Sequence, residues 1–224
     1  MIEKTRLRDR KHAAIIEAAV AEFDAQGFEA TSMDSVAARA GVSKRTVYNH
    51  FASKEALFRQ IRDALVRRAR EVQPVPYDRQ GCLREQLCEI GQREVELLVS
   101  KDFMTLARVT IPTFLTCKTF ASETFTELQG SHEGLVNWIR DAAADGRLII
   151  ADISVAARQF LVLLHGFAFW PQLVGGQPVP APPQREQIVT AAVGMFLDHY
   201  AARQPVAGEP RPANEADLKT AWRR

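Results

Sequence analysis

Apolar residues recur at helical spacing along most of the chain, and no stretch alternates apolar and polar positions as a strand would. Ala13, Ile16, Val20 and Phe23 make one stripe of period 3.6, and Gly27 stands where a C-terminal glycine would close that helix. Met33, Val36, Ala37 and Ala40 make a second stripe, with Thr31 and Ser32 as caps and Asp34 in the first turn, where the helix dipole favours an anion. Gly41 gives the permissive backbone of a tight turn, and Ala37 is small enough for the next helix to cross closely. Ser43 caps that next helix, whose inner face is Val47 and Phe51. Ser53 caps a fourth, with Leu57, Ile61 and Leu65 inward and Arg59, Arg62, Arg67, Arg68 and Arg70 on other faces. Phe28 is expected to plug the small core beneath.

Beyond Arg70 the pattern stays helical. Pro74, Pro76 and Gly81 punctuate a linker. Helices are expected at about 81–100, at 101–111 halted by Pro112, at 117–128, at 131–145 with Ser131 as cap and Gly146 at its end, at 152–174 and at 184–203. Pro205, Pro210 and Pro212 mark a flexible tail with room for a short helix at 215–222, and nothing supports a docking role for Trp222. The fold class is therefore all-α. Residues 1–12 read as a basic arm, 13–70 as a helix-turn-helix domain with its linking helix, 71–203 as a larger helical domain and 204–224 as the tail.

The chemistry concentrates in the third helix. At about 100° per residue, Arg45 and Asn49 lie almost opposite the inward Val47. Arginine bonds guanine and asparagine bonds adenine in bidentate fashion, and Thr46 and Tyr48 flank that face within reach of a phosphate or a thymine methyl. Lys44 and His50 sit nearer the packed rim, where phosphate contact suits them, and Lys54 adds a cation at a helix start that attracts anions. An ordinary αα-hairpin with a solvated basic face would show the same charges.

The whole string decides between these. Thr31, Ser32 and Val36 lead into A-x-x-A-G-V-S over 37–43, and T-V-Y-x-H-F-x-S-K-x-x-L follows over 46–57. This run resembles the DNA-binding segment of the tetracycline-repressor (TetR) family of bacterial transcription regulators. The resemblance implies a three-helix DNA-binding domain containing the helix-turn-helix, a fourth helix linking it onward, and a C-terminal ligand-binding and dimerisation domain. It also implies a double-stranded DNA partner and DNA contacts among Thr31, Ser32, Ser43, Lys44, Arg45, Thr46, Tyr48, Asn49, His50 and Lys54.

Charge agrees with that division. The chain carries +2 overall, but residues 1–70 hold 14 Lys plus Arg against 9 Asp plus Glu, and the remainder 15 against 18. Lys4, Arg6, Arg8, Arg10 and Lys11 form the arm, which is either a solvated tail or a phosphate or minor-groove contact. No secretory h-region follows it, and the run from Phe160 to Trp170, broken by His165 and Gly166, falls short of the roughly 20 residues of a membrane span. A cytoplasmic protein is expected, on the nucleoid when bound to its operator. Cys82, Cys88 and Cys117 lack metal-ligand spacing and read as reduced thiols, unless one is an accessible oxidant sensor. There is no phosphate loop, no G-x-S-x-G and no H-E-x-x-H, and His12, His50, His132, His165 and His199 form no ligand cluster in sequence. Neither an enzyme nor a cofactor or metal is expected.

The two C-terminal helices are apolar on nearly every face, which requires burial on both sides. One side suits the chain's own core. The other suits a second copy, and the resemblance implies a four-helix dimer bundle, here through Phe160, Leu164, Phe167, Ala192, Met195 and Phe196. A large monomeric core is the alternative. Aromatic and polar groups in the middle, namely Phe103, Met104, Phe114, Cys117, Phe120, Trp138, His165, Phe169 and Trp170, suit an apolar effector pocket or plain core filling. The resemblance favours the pocket and points to the efflux-regulator (AcrR-like) branch. The expectation is a homodimeric repressor released from a palindromic operator by a small apolar or amphipathic effector. A ligand-binding or scaffolding dimer that no longer touches DNA is the alternative.

Overall fold

A computed structural model describes residues 2–202, the side chains of residues 2–5 and 7 excepted. Lys4 as a charged group and the tail with Trp222 lie outside the described residues. Among the described residues eleven helices follow one another: α1 Ile2–Ala30, α2 Met33–Arg39, α3 Lys44–His50, α4 Lys54–Arg70, α5 Leu83–Val99, α6 Lys101–Thr116, α7 Lys118–Gly130, α8 Glu133–Ala144, α9 Ile153–Ala168, α10 Trp170–Leu173 and α11 Pro182–Tyr200. The protein is all-α. Among the described residues the sole β feature is an isolated bridge between Leu148 and Ala201, which pins the end of α11 beside the α8–α9 loop.

The basic arm is not separate: residues 2–12 continue α1. Gly27, at φ 78° and ψ 167°, breaks that helix, a conformation open to glycine and strained for other residues. Gly41, at φ 64°, turns α2 into α3 for the same reason. Serine caps start the next helices as their positions required. Ser32, Ser43 and Ser53 each hold extended backbone and accept from the amide three residues on, at 3.0, 3.1 and 3.2 Å.

Two cores result. Ile15, Ala19, Phe23, Val36, Val47, Phe51, Leu57, Phe58 and Ile61 close the first, over which Val109 of α6 also packs. The second, larger core gathers Leu87, Leu98, Trp138, Ile139, Phe160, Leu164, Val193 and Phe196. Helix α4 belongs to both, with Leu57, Phe58 and Ile61 in the first and Leu65 and Ala69 in the second. It is a rigid rod between them.

Three boundaries depart from the sequence reading. Helix α6 passes through Pro112 and stops at Thr116. The bond that Pro112 cannot donate would run to the Arg108 carbonyl, and both residues are exposed, so solvent satisfies that carbonyl. Ser131 caps the end of α7, its hydroxyl donating to the Leu128 carbonyl at 2.6 Å, and His132 takes the N-cap position of α8. With φ −69° and ψ −17° Ser131 holds helical backbone, which an N-cap does not. The single helix expected over 152–174 breaks at Phe169, after which Pro171 starts the short α10. Counted through that break, residues 153–173 are 21 residues apolar and long enough for a membrane span, with 33% buried in this chain. The stretch is longer than the run seen in sequence, and Val155, Val162 and Phe167 are its exposed large apolar residues within α9.

Candidate nucleic-acid interface

Helix α3 stands on α2 through Val47, which is fully buried, with Phe51 closing the core at its end. That anchoring turns Arg45, Tyr48 and Asn49 outward. All three are exposed, Tyr48 to 46%, an unusual exposure for a ring that has a core beside it. A guanidinium, a phenol and a carboxamide therefore share one protruding edge with the free amides of the α3 start. Guanine, adenine and phosphate are what such an edge can hold.

The other expected contacts divide. Ser32 and Ser43 are exposed, and their hydroxyls are committed to capping. Thr46 is half-buried and its hydroxyl lies 2.8 Å from that of Ser43. Lys44 is exposed but paired with Asp34 at 2.8 Å, and that hydrogen bond raises its pKa. A phosphate must displace Asp34 to use it. Burial lowers the pKa of His50, as do the positive charges of His12, Arg8 and Lys11 around it. Its ring lies tilted beside that of His12, centroids 5.6 Å apart, at the rim of α3.

Thr31 and Lys54 are engaged within the fold. Thr31 is buried and its hydroxyl donates to the Gly27 carbonyl at 2.8 Å. The Lys54 ammonium donates to the Phe28 and Glu29 carbonyls at 2.7 and 3.1 Å and sits 4.5 Å over the Phe28 ring. The break at Gly27 frees the last carbonyls of α1, and these two residues satisfy them. Lys54 thereby ties the start of α4 to the end of α1, and Thr31 closes the turn after α1. Sequence also gave no sign of the Glu22–Arg39 pair at 2.5 Å, which ties α1 to α2 from 17 residues away and, through that hydrogen bond, keeps the Glu22 carboxyl below its ordinary pKa.

Behind α3, helix α4 is clamped to α7. The Arg62 guanidinium, buried to 8% exposure, meets Asp63 at 2.5 Å, Glu123 at 3.1 Å and Glu127 at 3.3 Å. The pairing with Glu123 and Glu127 was invisible in sequence because these partners lie some 60 positions on.

The nine residues expected at an effector pocket fall into separate groups. Phe120 packs edge-on against Phe58, at 5.4 Å, over the reading-head core. Trp138 is buried with its indole N–H donating to Gln86 at 3.0 Å. Phe114 and Cys117 are half-buried near the α6–α7 junction. Phe103, Phe169, His165 and Trp170 do form a chain of rings, spaced 5.9 Å, 6.1 Å and 5.0 Å around Phe169, with Met104 buried in the same core. Four of the six expected dimer contacts are likewise committed inside. Phe160, Leu164, Ala192 and Phe196 are within 2% of full burial in their own chain, because a helix apolar all round turns one side to its own core. Phe167 and Met195 are exposed, and Val155, Val162 and Val174 join them on the outer side. An apolar groove of about 510 Å³ between α9 and α11, lined by Val155, Val162, Leu163, Met195, Phe196 and Tyr200, is part of this face.

One further constellation was missed. The His165 Nε2 lies 2.7 Å and the His132 Nε2 3.5 Å from the buried Glu94 Oε1, so two of the five histidines do cluster, with a carboxylate from α5. Burial pushes the Glu94 carboxyl up, and the hydrogen bonds and charges of His132 and His165 outweigh it and hold it well below the usual range.

Comparison with known proteins fits this geometry. Residues 15–61 match the family model described as bacterial regulatory proteins, tetR family, and residues 85–202 match that of the AefR-like transcriptional repressor, C-terminal domain. The sequence resemblance had pointed to the AcrR-like branch. A crystal structure of a TetR family transcriptional regulator from Pseudomonas syringae pv. tomato is 40% identical and superposes with a TM-score of 0.76, covering 87% of this chain and 99% of that one. The flavonoid-responsive regulator FrrA is 29% identical with a TM-score of 0.69, covering 88% and 100%. Among curated proteins, the A-factor receptor protein of Streptomyces griseus is 32% identical over 80 residues, 36% of this chain and 27% of that protein. The chain spans roughly a quarter to a third of the first curated relatives it matches.

Proposed function

Because the chain belongs to the TetR family of bacterial transcription regulators, and is thus a helix-turn-helix DNA-binding protein and not an enzyme, we propose that it is a cytoplasmic homodimeric repressor released from a palindromic operator by a small amphipathic effector. The observation that carries this reading is the pairing of two unsatisfied surfaces. Among the described residues nothing covers the Arg45, Tyr48 and Asn49 edge or the outer apolar face of α9 and α11. A two-fold axis through the second face delivers the first twice, and two α3 helices about 34–36 Å apart read half-sites one helical turn apart.

Release follows by linkage. Helix α4 shares both cores and is clamped to α7 through Arg62, so a C-terminal rearrangement that moves α6 or α7 moves α4 and with it α3. A coupling of roughly 1–3 kcal/mol changes operator affinity about 5-fold to 150-fold. The ring chain around Phe169 supports an amphipathic aromatic ligand, as does the flavonoid response named for a relative of the same fold.

Gel shift against palindromic and scrambled duplexes at one salt concentration tests the reading. Two chains should bind each palindrome, with the scrambled duplex left free. Equal retention of both duplexes, or of neither, overturns sequence-specific regulation and leaves a ligand-binding or scaffolding dimer. Effectors that bind the dimer and leave the operator dissociation constant unmoved would refute the linkage.

A further inference from the structure

We propose that Glu94, His132 and His165 are a three-ligand site for a divalent transition cation of the zinc class. The three come from different parts of the fold: Glu94 from α5, His132 from the N-cap position of α8 and His165 from α9. Their candidate donor atoms all lie within 4.8 Å of one another. Zinc bonds of about 2.0–2.2 Å in tetrahedral geometry separate neighbouring donors by about 3.3 Å. The observed separations from the Glu94 oxygen, 2.7 and 3.5 Å, bracket that value.

The donor set selects the cation. Two imidazole nitrogens and one carboxylate suit zinc or ferrous iron and disfavour calcium and magnesium, which take oxygen donors. Burial supplies the driving force. The Glu94 side chain is 8% exposed, and a buried carboxylate is costly unless a positive charge compensates it. The two imidazoles offer that carboxylate hydrogen bonds, and a divalent cation held between all three groups would compensate its charge directly. The site is also accessible, since the two histidine side chains remain 24% and 25% exposed. Three protein donors leave a fourth position for water or for a donor atom of a ligand. The Phe169 ring stands 6.1 Å from that of His165, so such a ligand would have an aromatic wall beside it. The hydrogen-bonded trio without any ion is the competing arrangement.

Zinc titrated into chelator-dialysed full-length protein, in competition with a chromophoric chelator, distinguishes the two. One ion per chain is expected, and His132→Ala, His165→Ala and Glu94→Gln should each weaken it by more than the roughly 10–100-fold that loss of an outer-sphere partner costs. Cobalt in place of zinc should give visible d–d bands without thiolate charge transfer in the near ultraviolet. That absence excludes the free thiols Cys82, Cys88 and Cys117 as the ligands. Should a substitution of buried Glu94 impair folding, His132→Gln, at the more exposed edge, keeps the test intact, with helicity checked by circular dichroism. No stoichiometric ion, binding unmoved by these substitutions, or a thiolate signature overturns the site. None of these outcomes depends on DNA binding, so the site and the regulator reading fail separately.

Discussion

Arg45 and Asn49 are exposed, and among the described residues neither side chain makes a hydrogen bond or ion pair, so their replacement reads recognition. Arg45→Ala and Asn49→Ala should each cost on the order of 1–3 kcal/mol on the operator and leave binding to random duplex nearly unchanged. Equal loss on both duplexes would show that Arg45 merely neutralises phosphate. Lys54 gives the opposite result. With its ammonium on the Phe28 and Glu29 carbonyls, Lys54→Met should lower the thermal midpoint while the dependence of DNA affinity on salt keeps its slope. A flattened slope with an unchanged midpoint would return Lys54 to the phosphate contacts. The difference between the two residues shows what sequence can tell. The outward position of Arg45 follows from helical period and one buried neighbour. The partners of Lys54 lie 25 and 26 residues back, at a helix break whose freed carbonyls no local pattern announces.

Among the elements, α4 decides how the two cores communicate. Arg62→Leu removes a buried guanidinium from three carboxylates, and hydrogen bonds to charged groups are worth about 1.5–3 kcal/mol each before solvent screening of Asp63 and Glu123 reduces them. The variant should still bind operator and respond less to effector, measured as the ratio of operator affinities with and without it. An unchanged ratio would clear Arg62 of any part in coupling. Elsewhere, Asp145 accepts from the Tyr77 hydroxyl at 2.7 Å and pairs with Arg79, holding the linker onto the end of α8, and these contacts keep its carboxyl below the ordinary value. A carboxylate with a depressed folded pKa contributes stability that is complete above its unfolded value of about 3.9 and drains as pH falls through the folded one. The stability gap between wild type and Asp145→Asn, followed by thermal melts, should therefore be widest near neutrality and close in acid. A gap independent of pH would assign the contact to shape alone. The α6 boundary shows the limit of element reading. Pro112 breaks a helix in isolation, yet here its lost bond falls on the solvent side and the helix runs on.

For the whole molecule, the outer face of α9 and α11 is the feature left over. Exposed substitutions seldom move single-chain stability by more than about 0.5 kcal/mol. Phe167→Glu or Val162→Glu should therefore keep helicity, shift sedimentation from two chains to one, and weaken operator binding. Variants that remain dimeric would place the two-fold contact elsewhere.

The sequence by itself determined the all-α class, the caps Ser32, Ser43 and Ser53, the Gly41 turn and the outward set of α3. Each is fixed by propensity, period or capping within a few residues. Tertiary structure alone decided which apolar residues of α9 and α11 face their own core and which remain outside, since a helix apolar on every side carries no direction of its own. It alone also brought Glu94 to His132 and His165, and Arg62 to Glu123 and Glu127, because a charged side chain far along the chain leaves no periodic trace of the partner that packing gives it.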